Sequence, residues 1–244
     1  MSVRLWAMGQ RALPTLVGPP GHLVHRTMET FDVGPGWLNP YEESKFRLRF
    51  ELGGEVYWQV THVVPRFIQA LERSRVLADN VFGDERAMAI VGSWKLTKRE
   101  LFQKKRQRGA TGYALLEKMG FADARLLSEW REKPVWFDQD DPSDGVPFDW
   151  KAYDITGLKE MRDTLLWASN AFEIGIEPSA PVVTYLFSPV SSIVMHVYDD
   201  RGVDIMALSP EPLMPLYRDF NQWILDYDRP RILEAFGAPS PEVR

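Results

Sequence analysis

The run Ser192-Ile193-Val194-Met195-His196-Val197-Tyr198-Asp199-Asp200-Arg201-Gly202-Val203-Asp204-Ile205-Met206-Ala207-Leu208 decides the fold class. Both of its halves are rich in β-branched and apolar residues, and turn-forming residues part them, so it reads as a β-hairpin. Asp199-Asp200-Arg201-Gly202 has the composition of a type I turn closed by a left-handed glycine bulge. Residues 181–187 upstream are β-rich as well. Together 181–187, 192–198 and 203–208 predict a three-stranded antiparallel meander at the C-terminal end of the fold.

Helices flank this meander. Residues 158–171 carry an amphipathic pattern. After the meander, Ser209 is placed to cap a helix that has Pro210 at its first position. Leu213, Leu216, Tyr217, Phe220, Ile224 and Tyr227 would form the buried face of that helix. Asp228 and Pro230 restart a short helix that Gly237 stops. Further upstream, Phe46-Arg47-Leu48-Arg49-Phe50-Glu51-Leu52 alternates apolar and charged residues, the period of a half-buried strand, and Gly53-Gly54 ends it. Residues 55–78 follow a helical period, with Pro65 predicting a kink or a break. Residues 87–94 are mostly apolar, as in a central strand. A short helix is expected around 113–119, and 121–137 has no clear period.

These elements give an α+β class, a mainly antiparallel sheet with helices packed on it, in a single domain over residues 45–237. Residues 1–44 are set apart by Pro14, Gly18, Pro19, Pro20, Gly21, Gly34, Pro35, Gly36 and Pro40, which break regular structure and mark a Pro/Gly-rich extension. Its apolar residues favour docking on the domain over free disorder. Residues 238–244 form a tail. No internal repeat is present, so solenoids and propellers are excluded.

Composition narrows the chemistry. The chain has 244 residues, a net charge of −5, 45 % hydrophobic and 26 % charged residues, and no cysteine. Those fractions are those of a soluble globular protein. Without cysteine there are no disulfides, thiolate zinc sites, iron–sulfur ligands or cysteine nucleophile. No stretch approaches the length of a membrane span, and the opening residues are too interrupted for a signal-peptide core, so the expected address is the cytoplasm.

Charge is unevenly spread. Between residues 95 and 108, Lys95, Lys98, Arg99, Lys104, Lys105, Arg106 and Arg108 stand against Glu100 alone. Between 138 and 149, Asp138, Asp140, Asp141, Asp144 and Asp149 occur with no base, and Pro142, Gly145 and Pro147 make the segment a loop. A calcium loop is ruled out there, because Pro142 and Ser143 fall where an EF-hand needs a ligand and a glycine. The basic stretch holds one aromatic, Phe102, which is poor material for stacking on single strands.

Reaction templates are missing: no phosphate loop, dinucleotide fingerprint, nucleophile elbow or H-E-x-x-H pair. His22, His25 and Glu29 have a metal-like spacing, but their Pro/Gly-rich surroundings offer no rigid scaffold, so no metal is assigned. No cofactor and no catalytic residue is assigned either. His196 with Asp199, Asp200 and Asp204 is the one constellation that could carry acid–base chemistry of a hydrolase type. Tyr198, Asp199, Asp200, Arg201, Asp204, Trp223, Asp226, Tyr227, Asp228 and Arg229 read more simply as a structural polar network.

Arg49-Phe50-Glu51-Leu52-Gly53, then Tyr198 through Asp204, then Leu216-Tyr217 and Trp223 through Arg229 resemble a bacterial family of uncharacterised proteins, domain of unknown function 3885. The likeness runs over about residues 45–236. It implies an α+β domain and brings no established activity or catalytic residue with it.

The expected function is a non-catalytic protein-binding module of the immunity or accessory type. Its partner would be a toxin or secreted effector, met through Asp138, Asp140, Asp141 and Asp144. The alternatives are the hydrolase-like use of His196 and nucleic-acid binding through residues 95–108.

Overall fold

A computed structural model describes residues 15–16, 24, 46–54, 63–83, 85–94, 111–132 and 148–237. Its centre is one antiparallel sheet. The strands are β1 (Thr15–Leu16), β2 (Arg47–Glu51), β3 (Met88–Trp94), β4 (Arg125–Glu132), β5 (Phe148–Asp154), β6 (Val182–Ser188), β7 (Ile193–Asp199) and β8 (Gly202–Ala207). Their spatial order is β1-β4-β5-β3-β6-β7-β8-β2. The C-terminal meander is β6-β7-β8, and β3, read as central, does lie between β5 and β6.

The helices are α1 (Val63–Phe82), α2 (Gly112–Lys118), α3 (Lys159–Ile174), α4 (Met214–Asp219) and α5 (Arg229–Phe236). Helix α1 turns Phe67, Ala70, Ser74, Leu77, Ala78 and Val81 inward, and α3 turns Leu165, Leu166 and Ala168. They meet Leu48, Phe50, Ala89, Val91, Met195, Val203 and Ile205 on one face of the sheet. Each large apolar side chain buried there contributes on the order of 1.5–3 kcal/mol. The two helices are also pinned by charge: Arg162 bonds Asp79, Lys159 reaches Asp79 at 2.8 Å, and Arg75 reaches Asp163 at 2.7 Å. Helix α3 ends in a Schellman motif. Gly175 takes φ +72°, so that Ile176 N–H reaches the Ala171 carbonyl at 3.0 Å.

The opposite face of the sheet is buried as well. Met88, Ile90, Trp150, Ala152, Tyr185, Phe187, Val194 and Met206 form a second core, which also holds Val24 of the N-terminal segment. This explains why the middle strands are almost continuously apolar.

Several boundaries differ from the sequence reading. Pro65 is the third residue of α1, in the first turn, where its missing N–H is not needed, and the helix continues past residue 78 to Phe82. Residues 121–137 contain β4, whose alternation is broken by a bulge between Leu126 and Ser128. Asp149 belongs to β5 rather than to a loop, and pairs with Arg131 at 2.5 Å. Gly202 is not left-handed; the bulge sits on the partner strand, between Val197 and Asp199. A side chain at 202 would instead collide with the Tyr198 ring and the Phe50 carbonyl.

The long helix expected after Ser209 is a series of short pieces. Pro210, not Ser209, occupies the N-cap of a 3-10 turn at Glu211–Leu213, α4 follows, and further 3-10 turns lie at Asn221–Trp223 and Asp226–Asp228. Ile224 leaves helical geometry to bridge Phe50 of β2. Tyr227, expected to be buried, is 87 % exposed. Among the described residues no helix is long and apolar enough to cross a membrane.

Candidate functional site

Cross-strand register brings the polar residues of the meander together. His196 of β7 stands opposite Asp204 of β8, and Asp204 stands opposite Arg49 of β2. Directly opposed residues in an antiparallel sheet share a face, so these three form a row. Arg49 grips Asp204 with Nε and Nη2, both at 2.8 Å, the two-pronged geometry that suits a guanidinium and a carboxylate. Arg49 also lies over the Tyr198 ring, 5.6 Å from its centre.

The C-terminal segment closes this row. Asp228, at the N-terminus of α5, lies 3.8 Å from Arg49, 3.9 Å from Arg47 and 3.5 Å from Arg231. Arg47 is 1 % exposed, and burial lowers its pKa, with Asp204 working against that. Arg231 donates to the Arg47 carbonyl at 3.2 Å, Arg73 to the Glu51 carbonyl at 2.9 Å, and Gln69 to the Leu52 carbonyl at 3.1 Å. With the Phe50–Ile224 bridge, these contacts occupy the outer edge of β2, which would otherwise offer open pairing groups.

The remaining residues of the predicted network separate into smaller groups. Asp200 bonds Arg66 of α1, on the helix side of the sheet. Asp199 holds its own turn, accepting from the Arg201 backbone N–H at 2.8 Å and from the Arg201 guanidinium. Arg229 fastens the 3-10 turns, reaching Asp226 at 2.7 Å, the Asn221 side chain at 2.9 Å and the Ile224 carbonyl at 3.2 Å. Trp223 stacks on Phe220 and lies beneath Arg73. Tyr227 points into solvent and joins none of these. Asp138, Asp140, Asp141, Asp144, the basic stretch 95–108 and His22, His25 and His62 lie outside the described residues.

His196 is buried, and its Nδ1 sits 2.9 Å from the Thr184 carbonyl, so Nδ1 carries the proton and donates it. The ring stacks on Tyr185 with 4.4 Å between centres. Burial pushes its pKa below 6.5, against the opposing pull of the Thr184 carbonyl, Asp204 and Asp199. Asp199, Asp200 and Asp204 each pair with a different arginine, Arg201, Arg66 and Arg49 in turn.

The sign of the pH effect follows. The unfolded histidine takes up a proton near pH 6.5, whereas the folded one resists it. Stability from neutral burial is therefore complete above that pH and declines as the pH falls below it. Urea unfolding of wild type and His196→Gln at about pH 7.5 and 5.5 tests this. The wild type is expected to lose more stability than the variant on acidification; equal losses would show that His196 is not the linked group.

Sequence reasoning missed Arg47, Arg49 and Arg66 as members of the network. The signal lay in the charged positions of β2, which alternate as if facing water but face a second buried layer. It also missed a cavity of about 350 Å³ between α2, residues 121–124 and β5, lined by Tyr113, Glu117, Phe121, Lys151 and Tyr153 among others. Among the described residues no group of histidine, aspartate and glutamate is arranged to hold a metal ion.

Fold and site together define an α+β protein of one antiparallel sheet whose buried charges are matched arginine to aspartate. The chain belongs to the family described as Domain of unknown function (DUF3885), which it matches over residues 40–228. Neither a curated protein nor a solved structure matches it.

Proposed function

We propose that the chain is a non-catalytic protein-binding module of the immunity or accessory type. In this reading Asp138, Asp140, Asp141 and Asp144 meet a basic functional surface on a partner such as a toxin or secreted effector. The observation that carries it is where the acidic segment is rooted. The buried carboxylates of Asp199, Asp200, Asp204 and Asp228 are all engaged by arginines. The four acidic residues of 138–144 instead lie in the connection between β4 and β5, whose ends, Glu132 and Phe148, are register partners at one end of the sheet.

Phe148 is also opposite Trp94, the end of β3, from which the basic stretch 95–108 departs. Both charged segments therefore spring from adjoining strand ends.

The test is co-purification with proteins encoded beside the gene, followed by stopped-flow association at low and high salt. Asp138→Ala, Asp140→Ala and Asp141→Ala combined are expected to slow association roughly tenfold at low salt, with little effect at high salt. Clean monomer with every neighbouring product, or an unchanged association rate, would overturn the proposal.

A further inference from the structure

The cavity between α2 and β5 lies on the helix-covered face of the sheet, away from the row of His196, Asp204 and Arg49. Its volume of about 350 Å³ falls in the range of small-molecule sites. Leu116, Phe121, Ala114, Ala122 and Ala124 give it an apolar wall. Phe121 and Tyr153 meet edge to face with ring centres 5.0 Å apart, which fixes one side. Tyr113 fixes the other, since its hydroxyl reaches the Val91 carbonyl at 2.8 Å and the Asp149 carbonyl at 2.5 Å. Its phenol is thus consumed by the backbone, and burial pushes its pKa up.

Two charged groups complete the lining, one of each sign. Lys151 projects from β5 with its ammonium 4.8 Å from the centre of the Tyr113 ring. Among the described residues the one carboxylate within 4.0 Å of it is Glu129, at that distance, too far for a hydrogen bond. Glu117, one turn along α2 from Tyr113, is exposed and makes no ion pair or hydrogen bond among the described residues. Lys151 and Glu117 are not within ion-pair distance of each other, so the cavity lining carries a cation and an anion that do not neutralise one another, beside its apolar residues.

We propose that this cavity binds a small zwitterion, an α-amino acid with an apolar side chain. Its carboxylate would accept hydrogen bonds from the Lys151 ammonium, and its ammonium would donate to the Glu117 carboxylate. The side chain would lie against Leu116, Phe121 and Ala124. A simple anion would meet Glu117 as well as Lys151, and a simple cation would meet Lys151; a molecule carrying both charges satisfies both groups.

The test uses L-phenylalanine as probe, with 3-phenylpropionate lacking the ammonium and phenethylamine lacking the carboxylate. Binding is read by saturation-transfer NMR and titration calorimetry on the full chain. L-phenylalanine is expected to bind roughly tenfold more tightly than either analogue, the ratio set by one charge-assisted hydrogen bond. Lys151→Met should abolish the preference over phenethylamine alone. Glu117→Gln should abolish the preference over 3-phenylpropionate alone. Ala122→Trp, at an exposed position on the wall, should fill the cavity and remove binding of all three. No saturation transfer from L-phenylalanine, binding that survives Ala122→Trp, or equal affinity for the three probes each overturns the proposal.

Discussion

Asp204→Ala is expected to destabilise the fold by about 3–5 kcal/mol, because it removes the carboxylate that grips a buried guanidinium with two hydrogen bonds. Asp204 and Arg49 have side chains only 6 % and 11 % exposed, and their two bonds are both 2.8 Å. Arg47 and Arg231 stand close by, and Asp228 reaches both of them as well as Arg49. Removing Asp204 therefore takes a buried carboxylate from a group that holds three arginines. The loss is expected in urea unfolding followed by circular dichroism. Replacing both members, Arg49→Met with Asp204→Leu, should recover most of it, since two matched apolar groups carry no desolvation penalty. A single-variant loss below about 1 kcal/mol would mean that water reaches the pair and screens it.

This cluster shows what the sequence could and could not disclose. The meander was legible because β6, β7 and β8 are runs of β-branched and apolar residues with an unmistakable turn between the last two. The alternation of Phe46 through Leu52 was legible for the same reason. What alternation does not state is what each face meets. Arg47 and Arg49 follow the pattern of solvent-facing residues, yet the β2-β8-β7 end of the sheet has a second buried layer, and the arginines are tolerated there because aspartates from β8 and α5 meet them. Asp228 comes from a distant part of the chain, so no local pattern could have paired it with Arg47.

The errors have local causes. Strand β4 places Leu126 and Leu127 side by side across a bulge, which destroys the period by which strands are recognised. Strand β5 begins within an acidic stretch, so Asp149 was counted with the loop that precedes it. Leu216, Tyr217, Phe220 and Ile224 have helical spacing, but Ile224 is needed as a bridge to Phe50, and the helix gives way to 3-10 turns. The candidate amino-acid cavity was invisible for another reason. Tyr113 and Glu117 belong to α2 and Lys151 and Tyr153 to β5, and only the packing of α2 on the sheet brings them together.

The second large effect is expected at Trp150, and here a neighbouring glycine decides the geometry. Trp150 of β5 is opposite Trp130 of β4 and Gly92 of β3. Its indole stacks on Trp130 with ring centres 6.1 Å apart and leans across the strand toward Gly92, where an added Cβ would lie 2.6 Å from the ring. The missing side chain at 92 is thus the space that Trp150 fills. Trp150→Ala should cost about 3–5 kcal/mol, through lost apolar burial and the cavity left beside Trp130 and Tyr185. Gly92→Ala should cost about 1–3 kcal/mol by forcing the indole off its place. The two losses should not add: once the indole is gone, a methyl group at 92 has room, and the double variant should be no less stable than Trp150→Ala alone. Unfolding midpoints of the four proteins, with near-ultraviolet circular dichroism reporting the stacked tryptophans, would settle it, and strict additivity would show that Gly92 is not the seat of the Trp150 ring.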